Sequence, residues 1–327
     1  MAAGADMAAI DTEVVAEKDP GARLSAQRLH NERGLSVGPC TYLAAERTRL
    51  AGLDWPLFDV VPLSATVGGL IEGVDLTSDV SNALVEEIRR ALFEYKVIFF
   101  RDQPFTPAAH VAFAQRFGEL EVHPFIPPNA DQPELVQFAK SADVGGYENS
   151  WHHDVTWRAI PSMGAILHAI QVPTVGGDTL FSDMYAAYDA LDDDIKERIA
   201  SMTAVHDFMR AFSGQVPAGR EAEFRERYPL VEHPVVCRHP NTGRKLLYVN
   251  TNFTSHIVGL DEDDSRDLLA LLCRQAHTIE HQCRFHWQKD SVAFWDNRAV
   301  QHYAASDYWP EVRITERASI VGTRPRA

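Results

Sequence analysis

The sequence predicts a mainly β fold with flanking helices, and three observations support it. Short apolar runs recur along most of the 327-residue chain, turn-forming residues separate them, and few segments have helical periodicity. Many short strands with few helices are typical of an antiparallel sandwich or barrel decorated with helices. Repeated strand–helix units around a parallel sheet would require helices between most of the strands.

The elements can be taken in order from the N-terminus. Residues 1–54 are rich in Ala, Glu and Arg with little apolar periodicity, so we expect a mobile or loosely docked extension without catalytic residues, followed by one domain over 55–327. Residues 57–61 are predicted to form a strand. Apolar residues at helical spacing over 80–95 predict a helix that leads into a buried strand at 97–100.

The rest of the domain continues this pattern. Helices are predicted over 186–201 and 261–278. Further strands are predicted at the apolar runs 164–167, 179–181, 246–249, 292–295 and 318–321.

Charge and composition exclude several classes of protein. A formal net charge of -15 argues against binding to a nucleic-acid backbone, which requires clustered Lys and Arg. The four cysteines have no paired short spacing, so we expect reduced thiols rather than a zinc knuckle or a disulfide framework. Without an apolar run of about 20 residues or a signal-peptide pattern, the sequence predicts a cytoplasmic protein with no membrane partner.

A candidate metal site begins at His152 and Asp154. The two residues lie two apart, so in an extended chain both side chains would leave the same face and converge on one ion. His302 is the candidate for a third ligand, completing a facial triad that leaves coordination positions open. His153 should point to the opposite face, as a bystander or a group that supports the ligands.

Two arginines follow His302 on the next predicted strand. Arg313 and Arg317 are four residues apart, an even separation that sends both guanidinium groups to one face of a strand. Each could bind an oxyanion through a bidentate fork. Considered alone, they could also be surface arginines paired with Glu311 and Glu316.

These motifs resemble the taurine dioxygenase family of 2-oxoglutarate-dependent oxygenases, from about Pro56 to Pro325. The resemblance rests on Trp-His-x-Asp-Val-Thr at 151–156, Gly-Gly-Asp-Thr at 176–179, Trp-Asp-Asn-Arg at 295–298 with Gln-His-Tyr at 301–303, and the two arginines that follow. It implies a double-stranded β-helix, or jelly roll, and an oxidoreductase that uses Fe(II), 2-oxoglutarate as cosubstrate and dioxygen.

The resemblance also implies roles for individual residues. His152, Asp154 and His302 would be the catalytic iron ligands. Thr179 and Arg313 would bind the distal carboxylate of 2-oxoglutarate, and Arg317 and His123 would bind the anionic group of the substrate. Three further residues would line the substrate pocket: Val155, Phe212 and Phe253.

Two departures from taurine-specific members concern the far end of the substrate. Ile126 replaces a tyrosine and indicates a more apolar tail, whereas Glu148 replaces an asparagine and could pair with an ammonium group. We therefore expect hydroxylation of a small organic anion, most readily a sulfonate such as taurine, with release of sulfite and an aldehyde. The Asn-Ser-Trp sequence before His152 also resembles the branch that cleaves alkyl sulfate esters.

Other functions remain open from the residues. An arginine fork binds a carboxylate as readily as a sulfonate, so an aryloxyalkanoate or another carboxylate is an alternative substrate. Two histidines and an acid could serve a zinc hydrolase, although Arg313 and Thr179 would then have no role. A non-catalytic jelly-roll binding protein is a further class. The family is often dimeric or larger, so a homo-oligomer is consistent with the resemblance.

Overall fold

A computed structural model describes residues 39–123, 129, 131–146 and 148–327. The chain divides into two units, Met1–Thr41 and Tyr42–Ala327, and every α-helix and strand below belongs to the second. Most of the expected extension, residues 1–38, lies outside the described residues. Within 39–54 the chain forms helix α1 (Ala44–Ala51), and the division at residue 54 stays a prediction.

The described strands form one large sheet and three small ones. In chain order they are β1 (Asp59–Pro62), β2 (Gly69–Glu72), β3 (Val97–Phe100), β4 (Leu135–Lys140), β5 (Ser162–Gln171), β6 (Thr179–Asp183), β7 (Thr203–His206), β8 (Val231–Pro234), β9 (Val236–Arg238), β10 (Lys245–Leu247), β11 (Thr254–Ile257), β12 (Gln282–Phe285), β13 (Val292–Asp296), β14 (Val300–Ala304) and β15 (Arg313–Val321). The large sheet has the order β1-β2-β3-β13-β5-β15-β4, and a second sheet has the order β12-β6-β14. All pairs are antiparallel except β2 with β3.

These two sheets enclose a shared core and form the jelly roll that the sequence predicts. Alternate residues of the central strands point in opposite directions, because side chains alternate across a β-strand. Phe99 and Trp295 of the large sheet pack with Phe181 and Phe285 of the smaller one. Ile98 and Phe100 of β3 face the other way, towards the helices.

Helices cover the outer faces. They are α2 (Asn82–Tyr95), α3 (Pro107–Gln115), α4 (Met184–Asp189), α5 (Asp193–Ile199), α6 (Met209–Phe212), α7 (Glu221–Arg227) and α8 (Glu262–Arg274). Helix α2 shows why these segments are helical. The Ser81 side chain accepts a hydrogen bond from the Leu84 amide at its start, and Ile88 and Leu92 at helical spacing pack on the sheet.

Most of the predicted elements appear with shifted ends. The helix at 80–95 and the strand at 97–100 are confirmed as α2 and β3. The helical region expected over 186–201 is confirmed, but it consists of two helices, α4 and α5, with a break at 190–192. Leu191 packs into the core at that break, and Asp192 begins the new helix in an extended conformation. The helix predicted over 261–278 is α8, which passes into a short 3-10 segment after Arg274.

The four cysteines, Cys40, Cys237, Cys273 and Cys283, are reduced thiols, as expected from their spacing. In the described ranges, no helix has both the length and the apolar character needed to span a membrane.

Candidate active site

Three predicted ligands meet at one end of the space between the two sheets. The ligand atoms of His152, Asp154 and His302 all lie within 4.8 Å of one another. One carboxylate oxygen of Asp154 lies 3.8 Å from His152 Nε2, and the other lies 3.9 Å from His302 Nε2. Two imidazoles and one carboxylate at this spacing could hold a divalent transition metal and leave one side of it open.

The two histidines are placed by direct backbone pairing. The amide of His152 donates to the His302 carbonyl (3.2 Å), and the amide of His302 donates back to the His152 carbonyl (2.9 Å), which continues the small sheet beyond β14. His152 Nδ1 lies 2.8 Å from the carbonyl of Ser150. A proton on Nδ1 satisfies that carbonyl and leaves the Nε2 lone pair for a metal, as in many metal-binding histidines.

Asp154 does not lie on an extended strand, so that part of the prediction is wrong. A turn covers 154–157, and Val155 has φ of 49°. This left-handed conformation is unfavourable for a β-branched residue and costs about 1–3 kcal/mol. The Asn297 side chain holds the turn, because it accepts from the Asp154 amide (2.6 Å) and donates to the Asp154 and Ser162 carbonyls.

The Asp154 carboxylate is kept ionised by its neighbours. Burial would raise its pKa, but Arg317, whose Nη1 donates to Oδ2 at 2.9 Å, and the two histidines hold the pKa well below its usual range. An ionised carboxylate is the form that binds a metal. Arg317 therefore supports the candidate metal site and also faces the space around it.

Burial lowers the pKa of three histidines at or beside the site, His123, His153 and His302. The pKa of His302 falls well below its ordinary value, through burial first and the neighbouring His152 second. Burial, with the added charge of Arg317 and Arg158, lowers the pKa of His123 to about 3. His153 is fully buried beside Tyr248, with ring centroids 4.8 Å apart, which agrees with its predicted role as a bystander.

A small chamber adjoins one side of the three ligands. It has a volume of about 90 Å³, and its lining includes Thr179, His302, Arg313 and Arg317. Thr179 Oγ1 accepts a hydrogen bond from the Trp287 indole at 2.9 Å, which holds the hydroxyl in place. Arg313 is only 7% exposed, and its Nε has no hydrogen-bond partner among the described residues. A buried guanidinium of this kind is suited to an incoming carboxylate.

A larger chamber of about 510 Å³ opens on the other side. It brings together most of the predicted substrate residues, which are His123, Glu148, Val155, Phe212, Phe253 and Arg317. Ile126, the remaining one, lies outside the described residues. His152 and Arg317 line both chambers, so the two spaces meet at the candidate metal site.

Three further residues at the site were not foreseen from the sequence. Lys140, at the end of β4, lines both chambers and forms an ion pair with Glu148. Phe138 on the same strand lies under the Arg317 guanidinium, 5.0 Å from ring centroid to Cζ. Asn297 belonged to a recognised motif, but its three hydrogen bonds depend on the folded turn. No sequence motif marked Lys140 or Phe138.

Comparisons with known proteins identify the family of the chain. Residues 59–319 match the family described as taurine catabolism dioxygenase TauD, TfdA family. The chain is 35% identical to an alpha-ketoglutarate-dependent sulfate ester dioxygenase of Pseudomonas putida over 82% of this chain and 90% of that protein. It is 34% identical to an alkylsulfatase of Acinetobacter baylyi, over 80% and 84% of the two chains. The solved structure of a taurine dioxygenase from Burkholderia xenovorans is similar with a TM-score of 0.72 and 35% identity, covering 83% of this chain and 93% of that one.

Proposed function

This chain belongs to the TauD/TfdA family of dioxygenases, and from that premise we propose that it oxidises a small organic anion at the carbon next to a sulfur oxyanion group. The protein is an oxidoreductase that depends on Fe(II), 2-oxoglutarate (alpha-ketoglutarate) and dioxygen. The proposal concerns the substrate and the residues that act on it.

We assign the iron to His152, Asp154 and His302. Their geometry supports the assignment, since one carboxylate oxygen and two ring nitrogens converge within 4.8 Å of one another. Fe(II) bound there would supply the activation of dioxygen at its open coordination positions. The protein orients the ligands, through the Ser150 carbonyl at His152 and the Asn297 clamp at Asp154.

Thr179 and Arg313 would bind the far carboxylate of 2-oxoglutarate in the small chamber. The volume of about 90 Å³ suits the narrow part of such a molecule. No described residue accepts a hydrogen bond from the Arg313 Nε, and a carboxylate oxygen could do so. A bidentate guanidinium contact fixes orientation as well as charge. This positioning would hold the cosubstrate against the metal and keep water out.

Arg317 and His123 would bind the anionic head of the substrate in the larger chamber. The observation that carries the proposal is that Arg317 lines this chamber beside the metal ligands, is only 7% exposed, and has an Nε with no hydrogen-bond partner in the part of the chain that the structure describes. A substrate anion held by Arg317 brings its neighbouring carbon close to the candidate iron. Val155, Phe212 and Phe253 would pack on the tail.

In the proposed reaction, dioxygen gives one oxygen atom to the substrate and the other to 2-oxoglutarate. One atom of dioxygen enters the substrate carbon as a hydroxyl, and the other enters succinate as 2-oxoglutarate loses carbon dioxide. The hydroxylated carbon then becomes an aldehyde as its hydroxyl proton leaves. The sulfur group departs with the bonding electron pair, as sulfite from a sulfonate or as sulfate from a sulfate ester.

A substrate panel tests this proposal. Alkanesulfonates, alkyl sulfates and aryloxyalkanoates are each supplied with Fe(II) and 2-oxoglutarate, and oxygen uptake, succinate, sulfite and sulfate are measured. We expect succinate in equal amount to sulfite or to sulfate. Turnover of the aryloxyalkanoates alone, or no substrate-dependent succinate from any compound, would contradict it. The hydrolase alternative is tested by loading the protein with zinc in place of iron. That alternative requires the zinc-loaded protein to release sulfate without oxygen uptake.

We propose a cytoplasmic enzyme without a nucleic-acid or membrane partner, and the four reduced thiols support a reducing compartment. We also propose that the protein assembles into a homo-oligomer, as is common in this family.

A further inference from the structure

An ion pair stands where the two chambers meet. Lys140 Nζ lies 2.6 Å from Glu148 Oε1, and the side chains are 8% and 31% exposed. Both residues line both chambers. This pair lines the spaces proposed for the cosubstrate and for the substrate. The proposed function gives the pair no role.

The strand register explains why Lys140 requires a carboxylate. Lys140 on β4 is directly opposite Arg313 on β15, so their side chains leave the same face of the sheet. Two like charges in that arrangement destabilise a sheet, and a buried ammonium without a counter-ion is costly. Glu148 supplies the compensating charge to Lys140, and its charge also acts on Arg313.

The charges around the larger chamber are unequal. Among the described residues that line it, the basic side chains are Lys140, Arg210 and Arg317, and the acidic ones are Asp154 and Glu148. Both acids are already engaged, Asp154 with Arg317 and Glu148 with Lys140. A cationic group on a substrate that approaches Glu148 meets the Lys140 ammonium already paired there, so like-charge repulsion opposes it and Lys140 has neutralised part of the attraction.

We propose that Lys140 and Glu148 form a specificity-determining pair that selects substrates whose tail carries no cationic group. The inference rests on the proposed function and refines it, because it assigns the tail while the proposed function assigns the anionic head. It also revises the expectation that Glu148 pairs with a substrate ammonium. The remaining tail contacts, Val155, Phe212 and Phe253, are apolar and fit an uncharged hydrocarbon.

Isosteric substrate pairs test the inference on the unmodified enzyme. Taurine is compared with 1-propanesulfonate, and 2-aminoethyl sulfate with propyl sulfate, so that an ammonium replaces a methyl group within each pair. We expect kcat/KM to be at least 100-fold lower for the amine in each pair. Values within threefold of each other would overturn the inference while leaving the proposed function intact.

A binding measurement separates the two claims. Calorimetry on the enzyme loaded with Mn(II) and N-oxalylglycine, in which NH replaces a CH₂ of 2-oxoglutarate, compares the same four compounds without turnover. Tighter binding of the compounds with uncharged tails would support the inference. If the turnover assay also gave no succinate from any compound, the proposed function would be contradicted while the inference stood. Binding without discrimination overturns the inference, and no binding at all overturns both.

Substitutions test whether the preference for uncharged tails depends on Lys140 and Glu148. Lys140→Met releases Glu148 and should reduce the preference for the uncharged tail at least tenfold, whereas Glu148→Gln should keep or increase it. Lys289→Met, which removes an exposed lysine that does not line either chamber, should leave the preference unchanged. If Lys140→Met does not fold, Glu148→Gln still decides, because a weaker preference in that variant overturns the inference.

Discussion

Arg313 and Arg317 leave the same face of β15 but meet different surroundings. Arg313 lines only the small chamber of the two, while Arg317 lines both and donates to Asp154. Their even separation was readable from the sequence, and the structure confirms that they share a face. The assignment of one arginine to each ligand stays a prediction.

Substituting each arginine in turn tests that division. Arg313→Gln should raise the KM for 2-oxoglutarate roughly 30- to 100-fold, and Arg317→Gln should do the same for the substrate, since hydrogen bonds to charged groups contribute about 2–3 kcal/mol. Steady-state kinetics with each ligand varied gives both KM values for both variants. The two variants control for each other, and equal effects on both ligands would refute the division of roles.

Removal of a proposed metal ligand should abolish turnover. His302→Ala leaves two ligand groups, so we expect loss of substrate-dependent succinate and at least a tenfold fall in Mn(II) affinity, measured by electron paramagnetic resonance. His256→Ala removes an exposed histidine on β11 and serves as the control. Full activity in His302→Ala would remove His302 from the site.

At the scale of single elements, the turn at 154–157 depends on Asn297. The turn places Asp154 beside the two histidines at the cost of a left-handed Val155, and the Asn297 side chain makes three hydrogen bonds across it. The clamp is fully buried, so water cannot replace these bonds.

Asn297→Ala should therefore affect both stability and metal binding. We expect a loss of about 2–4 kcal/mol in the free energy of unfolding, because buried backbone groups of Asp154 and Ser162 lose their partners. Metal affinity should fall as the Asp154 carboxylate loses its orientation. Urea denaturation and Mn(II) titration measure the two effects. Asn241→Ala, at an exposed asparagine that contacts Arg298, is the matched control, and an equal loss in both variants would contradict the clamp.

The errors of the sequence-based prediction have identifiable physical causes. The strand at 97–100 was readable because four consecutive apolar residues are buried on both faces of the large sheet. The helical region at 186–201 was also predicted, but not the break within it between α4 and α5, because apolar spacing continues across the break, although Asp192, Asp193 and Asp194 together mark a helix start. Lys140 could not be identified, since its position opposite Arg313 depends on the register of strands far apart in sequence.

At the scale of the whole molecule, many histidines are buried in the neutral form. In the parts of the chain that the structure describes, burial is the largest cause of a lowered pKa at eight buried or half-buried histidines: His110, His123, His153, His168, His206, His233, His281 and His302. Unfolding exposes these rings to water, where they take up protons. The folded protein should therefore lose stability in mild acid.

His110 isolates one such contribution away from the candidate metal site. It is fully buried and stacks on Phe105 with ring centroids 5.4 Å apart, and burial, with His168 second, lowers its pKa to about 3 from 6.5. Between those values the unfolded chain binds a proton that the folded chain does not. Stability is therefore complete above pH 6.5 and falls as the pH decreases towards 3, by about 1.4 kcal/mol per unit.

His110→Phe should reduce this pH dependence. Between pH 7 and pH 4.5 the free energy of unfolding of the wild type should fall by about 2–3 kcal/mol more than that of the variant. Urea denaturation of the metal-free proteins at several pH values gives the difference, and the variant's own loss at pH 7 cancels in the comparison. Parallel pH profiles for the two proteins would show that His110 is not buried in the neutral form.

The Arg317 guanidinium connects the two parts of the site, because its Nη1 donates to Asp154 while it also lines the larger chamber. An anion bound to the same guanidinium would weaken its hold on Asp154 and so change the electron density that the carboxylate can offer a metal. Under the proposed assignments, metal and substrate are therefore coupled ligands. Linkage requires reciprocity, and any factor by which the substrate changes metal affinity is the factor by which the metal changes substrate affinity. Through the Arg317 guanidinium, binding of the metal would then change the affinity for the substrate, and binding of the substrate would change the affinity for the metal.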